Sequence, residues 1–137
     1  MKKITIASTL LLFLPLLSFA NEYVVISNKN MKEFSESEIK AIFMKKLTLK
    51  EDVTLVPLNL EAGDPLRLAF EEKILNMDFE KLKSYWTKEH YLGHRPPISM
   101  KSQESVIAFV KKVNGAIGYI NANGVDDTIK VLYRWRD

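Results

Sequence analysis

The sequence predicts an α/β fold, with a mixed, mostly parallel sheet flanked by helices. Three observations carry this. Short continuous apolar runs, Tyr23–Ile26 and Val53–Leu58, have the length and composition of buried strands. They alternate with segments whose apolar residues recur at helical spacing, the pattern of strands joined by crossover helices. The 137 residues contain no internal repeat, no low-complexity stretch and no linker long enough to divide domains.

Taken in order, Tyr23-Val24-Val25-Ile26 reads as a buried parallel strand ending at Ser27-Asn28. Ser35 and Glu38 form a capping box, with Phe34 and Ile39 at the staple positions, and Ile39, Ile42 and Phe43 follow at helical spacing, so a helix is expected over Ser35–Met44. Val53–Leu58 is the second strand, with Pro57 near its end. Asp64 is a good N-cap and Pro65 a good first helical residue; Leu66, Phe70 and Ile74 form the stripe of a helix ending near Asn76. Asp78 caps a third helix, on which Phe79, Leu82 and Trp86 face one way. Gly93–Pro97 is a loop. Ser102 caps a fourth helix, with Val106, Phe109, Val110 and Val113 on its apolar side and Asn114-Gly115 closing it. Ala116–Ile120 is a strand. Ile129, Val131, Tyr133 and Trp135 then alternate with Lys130, Leu132, Arg134 and Arg136, as on a half-exposed edge strand.

The first twenty residues read differently. Met1-Lys2-Lys3, an apolar run from Ile4 to Leu17 and Ser18-Phe19-Ala20 have the charge, length and small-x-small ending of a bacterial signal peptide. The run is shorter than the roughly 20 apolar residues that span a bilayer. Cleavage after Ala20 leaves residues 21–137 as a single periplasmic domain with no membrane span. Removing Lys2 and Lys3 from the 20 basic residues leaves 18 against 17 acidic ones, a balance that argues against nucleic acid as a partner. With no cysteine, such an exported domain holds its fold by its core alone.

Several segments are candidates for function. In Asn59–Leu75 an apolar run leads through Gly63 and Asp64 into a helix, the setting in which anions are often held. Pro65, however, has no N–H to donate and Leu66 no hydroxyl, while Asp64 would take up free amides itself and repel an anion. Arg67 is left as the cationic partner. His90 and His94 are four apart with Glu89 beside them, but Gly93 and Pro96 break the helix and no third metal ligand is evident, so a solvated loop is the plainer reading. Tyr133-Arg134-Trp135-Arg136 interleaves charge and aromatics; an edge strand guarded by arginines, open to a partner chain, accounts for it. There is no Gly-x-Ser-x-Gly elbow and no His-Glu-x-x-His helix, so neither an enzyme nor a cofactor is indicated.

Four stretches, in this order, resemble one family: FSESEIKAIFMKK, VPLNLEAGDPLRLAFEEKIL, YWTKEHYLGHRPP and VIAFVKKVNGAIGYI, of which Gly115-Ala116-Ile117-Gly118-Tyr119 is the most specific. The family is the phosphate-type periplasmic solute-binding proteins of ABC transporters, and in particular its short exported, single-lobe members. The resemblance implies one lobe of a type 2 periplasmic-binding fold. In two-lobed members the ligand is clamped between lobes, so a single lobe implies a homodimer or a second protein that completes the cleft. It implies a small oxyanion such as phosphate as ligand. Candidate contacts are Ser27 and Asn28 where the first strand ends, Asn59, Gly63, Asp64, Leu66 and Arg67, and His94 and Arg95 in the basic loop. The Ser-Gly-Thr turn of the phosphate binders is absent here. The alternative is therefore a periplasmic accessory or protein-interaction module that has lost tight ligand binding.

Overall fold

The first apolar run becomes the strand around which the sheet is organised. The computed structural model describes residues 21–137; the expected signal peptide, residues 1–20, lies outside them. β1 (Glu22–Asn28) is buried along its length and lies between β6 (Ala116–Asn121) and β7 (Ile129–Arg136). On the far side of β6 come β4 (Val56–Leu60) and then β5 (Ile98–Met100), giving the order β5-β4-β6-β1-β7. β4 pairs in parallel with β5 and β6, whereas β1 is antiparallel to both its neighbours. Four of the five strands thus point one way and β1 alone points back. The expectation of a parallel first strand is corrected here. Burial on both faces makes either direction equally apolar, so composition cannot tell them apart. A small separate ladder joins β2 (Leu49–Lys50) to β3 (Val53–Thr54), so the expected single strand Val53–Leu58 is broken at Leu55.

Helices cover both faces. α1 (Glu36–Phe43) starts at Ser35 with the full capping box: Ser35 Oγ accepts the Glu38 N–H and Glu38 accepts the Ser35 N–H. α2 (Pro65–Phe70) starts at Asp64 and runs into a π turn over Glu71–Leu75, which ends at left-handed Asn76. α3 (Phe79–Tyr91) is capped by Asp78 and α4 (Gln103–Lys112) by Ser102. Phe43 and Phe70 pack on the Tyr119 ring, which places α1 and α2 on one face of the sheet. α4 lies on the other face, so close that a Cβ on Gly118 would overlap Val106 Cγ1. Gly115, which turns the chain from α4 into β6, has φ +91°, and a Cβ there would overlap the Thr54 carbonyl oxygen. These two contacts explain why the Gly-Ala-Ile-Gly-Tyr stretch carries glycine where it does.

Three local expectations change. Phe79 is 71% exposed and does not share the buried side of Leu82. Pro57 lies near the start of β4, on the side where β5 has not yet begun, so its missing N–H breaks no ladder bond. In β7 a bulge opposite Val25/Ile26 shifts the phase, and Ile129, Leu132 and Trp135 are the buried residues. No helix among the described residues is long and apolar enough to cross a membrane.

Candidate functional site

The carboxyl ends of the co-directed strands define one edge of the sheet, and there the end of β4 is held from three directions. From β6, the Tyr119 hydroxyl accepts the Leu60 N–H at 3.1 Å and lies 2.8 Å from Asn59 Oδ1. From α2, Arg67 Nη1 donates to the Leu60 carbonyl at 2.9 Å. From β5, Ser99 Oγ donates to the same carbonyl at 3.2 Å. The backbone of one residue, Leu60, therefore brings Asn59, Arg67, Ser99 and Tyr119 together. Burial pushes the Tyr119 hydroxyl far above the usual phenol range, against the opposing pull of the Leu60 amide, so it stays protonated. Its ring is stacked on Phe70 at 4.1 Å between centroids and 8° between planes.

Arg67 is the cation that reaches the end of β4. Its side chain is 21% exposed, its buried Nε has no hydrogen-bond partner among the described residues, and the Glu71 carboxylate lies 3.6 Å from that Nε. Asp64 Oδ1 accepts the Leu66 N–H at 2.9 Å, and Pro65 has none to give. The start of α2 is thus largely closed by its own cap. The start of α4 is closed as well, by the reciprocal Ser102–Ser105 pair, while Gln103 Oε1 accepts the Asn121 N–H.

Of the residues expected from sequence, Asn59, Asp64 and Arg67 meet at this edge. Leu66 joins them through its backbone, its side chain being buried in the core. Gly63, at φ +88°, makes the turn that leads in. Ser27 and Asn28 are not brought there. Because β1 runs backwards, its carboxyl end lies at the opposite end of the sheet, where Ser27 is sealed and the Asn28 amide donates to the Val110 and Lys111 carbonyls that end α4. His94 and Arg95 precede the amino end of β5, and His94 Nδ1 pairs with Glu89. Among the described residues no group of three or more His, Asp or Glu could hold a metal. Sequence reasoning missed Ser99 and the Tyr119 hydroxyl as parts of the site. For Tyr119 the only signal was its place in the most specific stretch; for Ser99 there was none.

The fold has counterparts among solved structures. A candidate phosphate ABC transporter substrate-binding protein with bound phosphate, from Clostridium perfringens, superposes with a TM-score of 0.66 at 25% identity. An ABC-type phosphate transport receptor from Vibrio cholerae gives 0.64 at 14% identity, and PstS from Borrelia burgdorferi 0.63 at 14%. The chain has the fold of the phosphate-type periplasmic binding proteins. The match covers 82% of this chain in each case, but only 45%, 45% and 47% of the respective structures. The chain thus spans about half the length of the structures that share the phosphate-type fold. No protein-family model and no curated protein matches its sequence.

Proposed function

We propose that this lobe is an exported, non-catalytic solute-binding module that meets a small oxyanion, phosphate being the first candidate, at the carboxyl edge of its sheet. One observation carries the reading. Arg67 is held over the end of β4 by its bond to the Leu60 carbonyl, and among the described residues its buried Nε has no hydrogen-bond partner, the Glu71 carboxylate standing 3.6 Å away; buried donors are rarely left unpaired without a reason. Ser99 and Asn59 add polar groups beside it. The phosphate-type fold and the bound phosphate of the C. perfringens structure support the choice of ligand. In this reading residues 1–20 are a signal peptide, residues 21–137 work in the periplasm, and a second copy or another protein covers the open edge.

The closure of the α2 start favours a second reading. Asp64 has taken the Leu66 amide, and Leu68 and Phe79 are exposed around a groove of about 470 Å³ that Met77 and Leu82 also line. A lobe of this kind would act as an accessory module that binds protein. Calorimetric titration of residues 21–137 with phosphate, sulfate and carboxylates, repeated on Arg67→Ala, separates the two. Micromolar binding lost in the variant supports the oxyanion reading. Silence across the panel overturns it and leaves the accessory module.

A further inference from the structure

Asn59 and Tyr119 stand side by side, on the adjacent parallel strands β4 and β6. Which end of the Asn59 amide faces outward is decided by where protons can go. The Tyr119 hydroxyl already accepts the Leu60 N–H. It keeps its own proton, and among the described residues the one acceptor it meets is Asn59 Oδ1. The stacked Phe70 ring prevents the phenol from swinging to another partner. Asn59 Oδ1 is therefore the acceptor and Nδ2 is the outward group. Among the described residues Nδ2 makes no hydrogen bond, and it is not one of the fully buried side-chain atoms left without a partner, which are Arg67 Nε and Trp135 Nε1.

We propose that Tyr119 is a positioning residue: by fixing the Asn59 amide it presents Nδ2 as a second donor beside Arg67, aimed at an acceptor oxygen of the ligand. This rests on the oxyanion reading. It makes the edge a site of donors at that point, suited to a ligand oxygen that carries no proton.

The test is a double-mutant cycle on the oxyanion dissociation constant, using Tyr119→Phe and Asn59→Ala with sulfate and phosphate as probes. Tyr119→Phe keeps the stack and removes only the hydroxyl. Each single variant is expected to weaken binding roughly tenfold, the usual scale for one hydrogen bond to a charged group. The double variant is expected to lose no more than either single one, since Tyr119 acts through Asn59. Unchanged binding in Tyr119→Phe, or losses that add, would overturn the proposal while leaving Arg67-dependent binding intact. No binding in the unmodified protein would overturn both readings. Should Tyr119→Phe fail to fold, Asn59→Asp keeps an acceptor for the tyrosine but offers no donor; oxyanion binding at the unmodified level in that variant would sink the proposal.

Discussion

The Arg67 Nε lies 3.6 Å from the Glu71 carboxylate one helical turn on, while Nη1 of the same guanidinium donates to the Leu60 carbonyl. The cation of the candidate site is thus already half answered from within its own helix. Glu71 competes for Arg67 with any oxyanion, and Asp64 adds a second carboxylate nearby. Glu71→Gln removes the competing charge and keeps the shape. Oxyanion affinity is expected to rise about fivefold, the equivalent of roughly 1 kcal/mol of like-charge repulsion removed. Calorimetry with phosphate and sulfate reads this directly. Unchanged affinity would mean that the ligand does not approach Arg67.

Gly118 is where α4 meets the sheet, and an added Cβ would overlap Val106 Cγ1. Gly118→Ala is expected to cost about 1–3 kcal/mol, the usual range for overpacking a filled core. Pairing it with Val106→Ala should return part of that loss, because the second change vacates the space the first needs. Urea unfolding of the single and double variants checks this. Strictly additive losses would mean that the helix simply shifts away.

The legible parts of this protein are those written in local chemistry. Ser35 and Glu38 cap α1, and Asp64 and Pro65 open α2, because capping needs only residues within one turn. Tyr119 and Ser99 were not legible as site residues, since they reach Leu60 across 59 and 39 positions that only strand order brings together. Strand direction escaped for a related reason. A strand buried on both faces carries no periodic mark of which way it runs, and β1, running back, carries Ser27 and Asn28 to the end of the sheet opposite Leu60. β5 has three residues and an exposed Ile98, too short a signal to separate from the Pro96-Pro97 loop. The bulge in β7 needs one residue to fall out of alternation, and Leu132 does so only because β1 dictates the pairing.

The start of α1 makes folding stability depend on acid. The Ser35 N–H, and then the Lys50 ammonium, hold the Glu38 carboxyl below its usual range. A carboxyl depressed in the folded state stabilises fully above its unfolded pKa, and that contribution is lost as pH falls through the folded pKa. Stability should therefore decline below about pH 4, where an unfolded glutamate begins to bind protons. Glu38→Gln should flatten that decline while retaining the cap at Ser35. Asp126, held down by Thr128, titrates in the same direction, so the difference between the two proteins is the quantity to measure, by urea unfolding across an acid pH series. Parallel curves would show that the Glu38 contacts do not survive in solution.

Trp135 poses the opposite case, a polar atom with nothing to do. Its side chain is buried between Tyr23 and Phe70, at centroid distances of 5.3 and 6.0 Å, and its Nε1 has no hydrogen-bond partner among the described residues. Burying an unpaired donor costs about 1–3 kcal/mol, which the large apolar ring offsets. Trp135→Phe removes that donor together with some volume. Its cost should fall below about 2 kcal/mol, well short of the roughly 3–5 kcal/mol expected for Trp135→Ala. Guanidinium unfolding of both variants, followed by circular dichroism, separates the two terms. If Phe proves as costly as Ala, the indole N–H has a partner in solution, and the end of β7 is held by a hydrogen bond rather than by packing alone.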